Sequence, residues 1–354
     1  MRSLKKYGMT YSVDMCYEMM REMINIYDLN DYPNSLKNAD YGGMAGSKDG
    51  ILIDEEEWMI KYPKHLSDMA GNGLAFYSTS PLSEYLGSHI YEILGYDVHE
   101  TILGERNGKL VVGCKDFAPF DSGKKLLEIR TIKNHTGREL SDLLETKHYR
   151  SSQTHIVDLD ELLLHIRKNP VLSVVDGIEE RFFEQSIIDI FINNNDRNNG
   201  NWGIIRSSDR NDILAPIFDN GGSFSTKASD ERLEKLLANP NFESNTMNSL
   251  TAYGNEKHQY PAKEFLKKME NEPIMQQSLV KVVPLIEKSL PQIQKMFAEI
   301  PNETVSRDGK VLSVCSEVRK TCYLEQAKIR LKKILEPAYR DALLKQEKVN
   351  SQSI

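Results

Sequence analysis

The dipeptide Asn107-Gly108 separates two apolar runs, "VHETILGE" before Arg106 and "KLVVGCKDF" after Gly108. Asn-Gly fills both left-handed positions of a type I′ turn at little steric cost, so the pattern predicts a β-hairpin. Just upstream, "SPLSEYLGSHIYEILG" predicts a helix. Ser80 suits the N-cap, Pro81 the first helical position and Gly95 the stop. Leu82, Leu86, Ile90 and Ile93 would form its buried stripe. Before that helix, "ILI" and "EWMIKY" flank the acidic tip "DEEE", a second hairpin. Residues from about 40 to 118 should therefore make an antiparallel sheet with one inserted helix.

The rest of the chain reads differently. From Asp121 onward helical periodicity dominates, and "EERFFEQSIIDIFI" places Phe183, Ile187, Ile190 and Phe191 on one face. "NWGIIR", the polar turn "SSDRND" and "ILAPIF" suggest a third small hairpin. From Ala228 to the end the reading is helical and amphipathic, with Pro337 kinking or dividing the last helix. At the other end, Met15, Met19, Met20, Met23 and Tyr27 share one face of a helix spanning 15–27, read as docked on its own domain. Its tail, Ile24 to Asp28, equally suits the start of a strand. The expected organisation is an arm over 1–38, a β-rich lobe over 39–118 and a helical lobe over 119–354.

Composition narrows the function classes. A net charge of -7 over 354 residues argues against direct nucleic-acid binding. Cys16, Cys114, Cys315 and Cys322 lack CxxC spacing and a His-rich tract, so reduced buried thiols are expected rather than zinc or disulfides. The basic start "MRSLKK" leads into no apolar signal segment, and no run is long enough to span a membrane. The expectation is a cytoplasmic protein with no membrane span.

Four features then fall in order. "YGGMAGSKDG" precedes a strand, Lys61 sits in the next strand, "DRNNGN" follows a buried helix, and "IFDNGG" closes the hairpin after it. Phosphoryl transfer from ATP needs such parts. Glycines let backbone N–H groups approach phosphate oxygens, and a strand lysine supplies a fixed positive charge. An Asp orients the attacking hydroxyl, while an Asn and a further Asp hold Mg²⁺ through oxygen. Asp196 and Asn201 have the five-residue spacing of the kinase catalytic loop, and Asp219 stands where the second metal-binding Asp belongs. Gly42, Gly43, Gly46, Ser47 and Lys48 form the candidate phosphate loop. Each motif alone is weak; the loop glycines are more often a turn, and "DRNNGN" more often a surface loop.

Through "WMIKYP", "SEYLGSHIYEILG", "VHETILG", "LVVGCKDF", "DRNNGNWG" and "APIFDNGGS" the chain resembles the HipA-like Ser/Thr kinases, and within them the short bacterial cell-translocating kinase A type. That resemblance covers about residues 40–225. It implies an α+β, two-lobed kinase fold with a small antiparallel β-rich N lobe and a larger helical C lobe. It also implies ATP and Mg²⁺ as cofactors and a protein substrate. Asp196 would be the catalytic Asp, Lys61 the ATP contact, and Asn201 and Asp219 the metal ligands. Lys115, Asp116 and Phe117 would be the hinge that pairs with adenine, and Glu84 a partner for Lys61. HipA toxins have an extra N-terminal subdomain, and the segment before Tyr41 is expected to be too short to match it. Their loop serine has Gly43 in its place, which leaves Ser47 as the only loop hydroxyl.

Two other readings stay open. "DRNNGNW" with "DNG" is also similar to phosphatidylinositol 4-kinases, although the sequence shows no polybasic cluster beside the site. A pseudokinase or partner-binding module using the Met-rich arm is the third. Residues 220–245 occupy the place of an activation segment, with Ser223, Ser225 and Thr226 as candidate phosphosites.

Overall fold

The chain is described by a computed structural model at residues 4–6, 9–11, 23–39, 48–66, 74–135, 156–209, 211–255 and 257–352. Residues 15–22 of the expected Met-rich helix, Cys16 among them, and the loop holding Gly42, Gly43, Gly46 and Ser47 lie outside these residues, while Met23 to Tyr27, the expected end of that helix, are not helical. Strands β1 (Leu4–Lys6) and β2 (Met9–Tyr11) pair with each other.

The small lobe is built on a five-stranded sheet in the order β3-β6-β7-β5-β4. Its strands are β3 (Tyr27–Asp28), β4 (Lys48–Ile53), β5 (Glu56–Lys61), β6 (Thr101–Arg106) and β7 (Lys109–Lys115). Both expected hairpins are present. Arg106 pairs with Lys109 across Asn107 and Gly108, whose φ values are +54° and +67°. Ile53 pairs with Glu56 across Asp54 and Glu55, likewise at positive φ. Two left-handed residues give a turn whose twist matches the strands. The strand alternative for residues 24–28 also holds, because Tyr27–Asp28 joins β6 in parallel. One sheet face closes over Leu29, Ile51, Trp58, Ile60 and Val111.

Helix α1 (Ser80–Ile93) crosses between the lobes. The N-cap is Thr79 rather than Ser80, and Ser80 is the first helical residue. Leu82, Leu86 and Ile90 are buried as expected, while Ile93 is half-buried. Gly95, at φ +79°, ends the helix. Burial extends well beyond a stripe, from Pro81 to Ser88, because sheet and helical lobe cover opposite sides.

Strands β8 (Lys125–Glu128), β10 (Gly203–Arg206) and β11 (Asp212–Leu214) form a small sheet behind the interlobe cleft. The third hairpin is therefore real, but its second strand is only three residues long. Ile217 instead makes a parallel bridge to Val98 of the small lobe. Helical residues 129–135 follow β8.

The large lobe packs around α3 (Ile178–Ile192), whose neighbours include the long helix α7 (Pro273–Glu299). Phe182, Phe183, Ile187, Ile188, Ile190 and Phe191 are all buried, so this helix is enclosed on every side. Around it lie β9 (Val157–Asp158), α2 (Leu159–Lys168), α4 (Asp230–Leu237), α5 (Phe242–Met247) and α6 (Ala262–Met269).

The all-helical reading after Ala228 needs correction. Strand β12 (Leu250–Gly254) pairs with β13 (Gln259–Pro261) and with β9, and β14 (Glu303–Val305) pairs with β15 (Val311–Ser313). Strands of three to five residues are too short to show a period of two against helical neighbours. The last helix is interrupted just before Pro337, as expected: a π turn at Leu331–Leu335 joins α8 (Glu317–Arg330) to α9 (Glu336–Gln352), where the proline has no N–H to give the preceding turn. Cys114, Cys315 and Cys322 are free and buried. Among the described residues no helix is long and apolar enough to cross a membrane.

Candidate active site

The interlobe cleft gathers the motif residues. Lys61, at the end of β5, donates to Glu84 Oε2 and to Asp219 Oδ1, each at 2.8 Å. Glu84 is fully buried. Its carboxylate also accepts the N–H groups of Asn220 at 2.9 Å and Gly221 at 3.0 Å, and His99 Nε2 lies 3.0 Å away. Burial pushes the Glu84 carboxyl up, but the Lys61 ammonium and His99 outweigh it and hold the group well below the usual carboxylate range. Burial likewise opposes the Lys61 charge, and Asp219 and Glu84 overcome it, raising that ammonium well above its ordinary value. Lys61 and Glu84 are therefore both charged across the physiological range.

The Asn-rich loop opposite is held by its own short side chains. Asn193 caps α3 in the left-handed conformation, φ +56°, which Asn tolerates better than other non-glycine residues. Asn194 bonds back to Asp189, Asn198 accepts from Gly200 N–H, and Asn201 Nδ2 donates to the Asp196 carbonyl at 2.6 Å. Asp196 itself is exposed to the cleft.

Arg197 ties this loop to the Asp219 segment. It is 1% exposed and donates to both Asp189 carboxylate oxygens, at 2.9 and 3.1 Å. It also reaches the carbonyls of Asn201 and Phe218 and the Asn220 side chain. Burial disfavours its charge, and Asp189 more than restores it. Asp219 adopts φ +59°, a strained position for a non-glycine residue, at the point where it meets Lys61. Two glycines permit the close approach of these segments. A Cβ on Gly222 would lie 2.8 Å from Asp196 Cβ, and one on Gly87 would lie 2.7 Å from Asn220 Cβ.

Two cavities meet at Lys48, Lys61 and Asp219. The first, about 580 Å³, is lined by Met59, Lys115 to Asp121, Leu126 and Phe218. The expected hinge residues Lys115, Asp116 and Phe117 thus all border it. Their side chains play unequal parts. Lys115 pairs with Glu56 and Glu100, and the Asp116 carboxylate takes Lys37 Nζ at 2.7 Å and the Ala118 N–H. The N–H groups of Lys115 and Asp116 go to the carbonyls of Glu100 and Glu57. Phe117 faces Phe218, ring centroids 5.6 Å apart. The second cavity, about 590 Å³, holds Glu84, Asp196, Asn198, Asn201 and Thr226. Lys48, the described end of the candidate phosphate loop, lines both.

Sequence reasoning missed Lys37, His99, Arg197 and Phe218. The arginine had a signal, since it follows Asp196 directly, but its partners come from three separate segments. The candidate phosphosite Ser223 is fully buried, and its Oγ has no partner among the described residues, so it is closed to a kinase in this conformation. Ser225 and Thr226 are half-buried, and Thr226 borders the second cavity.

No family model matches the chain. It is 31% identical over 208 residues to the serine/threonine-protein kinase CtkA of Helicobacter pylori strain J99, an alignment covering 56% of each protein. The chain thus aligns with little more than half the length of that curated relative. The crystal structure of the H. pylori proinflammatory kinase CtkA superimposes with a TM-score of 0.74 over 90% of this chain and 98% of that one, at 24% identity. The chain has the CtkA fold. This is the two-lobed α+β architecture expected from the motifs, and the CtkA match extends beyond residues 40–225 into the helical lobe. A Shewanella oneidensis HipA, in complex with HipB and operator DNA, gives a TM-score of 0.48 at 10% identity over 93% of this chain and 73% of that one.

Proposed function

We propose that this protein is an ATP- and Mg²⁺-dependent protein kinase that phosphorylates Ser or Thr hydroxyls. The observation that carries the reading is Lys61 held between Glu84 and Asp219, with Asp196 and Asn201 facing the same cavity. A structural ion pair has no need of a strained, left-handed Asp219 or of a carboxylate collecting two backbone N–H groups. Both are explained if the lysine must be presented at a fixed point to phosphate oxygens.

The donor set fits Mg²⁺. Asp219 commits one oxygen to Lys61 and keeps the other, and Asn201 commits its amide nitrogen to the Asp196 carbonyl and keeps its oxygen. Hard oxygen ligands from one carboxylate and one amide, completed by phosphates and water, are what Mg²⁺ takes. When bound, the ion neutralises charge on the transferring phosphoryl group. The chain's own residues do the rest. Phe117 and Phe218 offer aromatic faces for a base, and Lys61 and Lys48 face the phosphates. Asp196 accepts a hydrogen bond from the substrate hydroxyl, orients it for in-line attack and takes its proton as the new P–O bond forms and the bond from the γ-phosphorus to the bridging oxygen breaks, releasing ADP.

The test is incubation with labelled ATP and Mg²⁺, wild type against Asp196→Asn, followed by mapping of modified residues. The variant should bind nucleotide as the wild type does and lose transfer about 10²–10⁴-fold, the usual worth of a positioned base. Near-normal turnover would remove Asp196 from this role.

A further inference from the structure

We propose that the acceptor side of the cleft selects a hydroxyl embedded in an acidic protein segment, read by Lys64 and Lys227. This rests on the kinase reading and specifies its substrate class. Three stretches are stitched together beside α1. Ser78 N–H donates to the Lys64 carbonyl at 2.8 Å and Lys64 N–H to Ser78 Oγ at 3.0 Å. Ala75 N–H donates to the Lys227 carbonyl at 2.9 Å and Thr79 N–H to the Thr226 carbonyl at 2.8 Å. One lysine follows β5, the other follows the Asp219 loop, and this ladder fixes both backbones relative to the N-terminus of α1.

Both side chains are exposed and line the cavity that contains Asp196 and Asn198. Neither lines the hinge-side cavity, whereas Lys48 and Lys61 line both. The lysines therefore divide into a pair placed for the nucleotide and a pair placed for what comes to Asp196. Among the described residues neither Lys64 nor Lys227 has a carboxylate partner, whereas Lys37, Lys61 and Lys115 at the same cleft are all ion-paired. Two of the cavity's three carboxylates, Glu84 and Asp219, are bound to Lys61. Two ammonium groups without an ion-pair partner among the described residues thus line the same cavity as the exposed Asp196, in a chain whose net charge is -7. A carboxylate brought near each gains Coulomb energy even in a wet cleft, enough together for roughly a tenfold preference.

The experiment compares kcat/KM for three peptides with a central Ser flanked by Glu, Ala or Lys, with phosphatidylinositol vesicles as a fourth acceptor. ATP turnover is followed alongside. The wild type should prefer the Glu peptide by about tenfold over the Ala peptide, mainly through KM. Lys64→Gln/Lys227→Gln should flatten the ranking, and Lys64→Glu/Lys227→Glu should invert it toward the Lys peptide. Equal use of all three peptides by the wild type overturns the proposal and leaves the kinase reading standing. So does a ranking that survives charge reversal. Transfer to the vesicles alone overturns the protein-kinase reading as well, in favour of a lipid kinase. Absence of ATP turnover with every acceptor overturns both.

Discussion

Replacing Arg197 by Met tests whether one buried cation holds the two halves of the site together. Methionine keeps most of the volume, so the loss is electrostatic rather than a cavity. The substitution strands the Asp189 carboxylate, 5% exposed and otherwise held by Tyr91 Oη at 2.9 Å and by Asn194. Breaking a buried pair by removing one partner costs about 3–5 kcal/mol. That is a large share of the roughly 5–15 kcal/mol by which domains are stable. At about 2 °C per kcal/mol for a chain of this size, the melting temperature should fall by roughly 6–10 °C. Asn201, Phe218 and Asn220 lose their common donor in the same step, so nucleotide affinity measured by calorimetry should fall as well. The decisive assay is a double-mutant cycle with Asp189→Asn, followed by thermal and urea unfolding. Removing the stranded charge should recover about 2 kcal/mol or more relative to the sum of the single variants. A single variant that costs under about 1 kcal/mol, or two effects that simply add, would refute the keystone reading of Arg197.

Asp219→Ala should abolish Mg²⁺-dependent nucleotide binding by titration calorimetry, and an unchanged Mg²⁺ requirement would exclude Asp219 as a ligand. Gly222→Ala should keep the fold but slow transfer by about tenfold or more, because its Cβ would displace Asp196; a wild-type rate in a labelled-ATP assay would contradict that contact. Acid should act through Glu84, whose folded carboxyl lies below its ordinary value of 4.5. A depressed carboxyl stabilises the fold fully above its unfolded value and loses that contribution as pH falls toward the folded one. The stability gap between wild type and Glu84→Gln should therefore be flat from neutral pH to about 4.5 and shrink below it. A gap that stays constant down to pH 3 would show that the carboxylate is not held by Lys61.

Local chemistry made much of this protein legible in its sequence. Asn107-Gly108 set one hairpin because both residues accept left-handed backbone, and the Pro81-to-Gly95 frame set α1. The helix α3 was visible from its apolar content, although not its enclosure on every side. The five-residue step from Asp196 to Asn201 proved to be a direct contact, since the amide of Asn201 reaches the Asp196 carbonyl within one tight turn. Short-range signals were least reliable where strands were short. The strands β12 to β15 went unread because three to five residues leave too little period to compete with the surrounding helices.

What only the tertiary structure decided is which charges meet. Lys61, Glu84 and Asp219 stand 23 and 158 residues apart in pairs, and no local rule relates them. The sequence shows no basic cluster near the site, yet the fold brings Lys64 and Lys227 to one cavity by stitching their backbones to residues 75–79. The physical reason is range. Turn chemistry and helix caps act within a few residues, so they can be read along the chain. Electrostatic pairing and burial act between surfaces that become neighbours only once the lobes have packed. The Asn run from Asn193 to Asn201 shows both sides. Its side chains fold the loop locally, and Arg197, reaching Asp189, Phe218 and Asn220, fixes where that loop points.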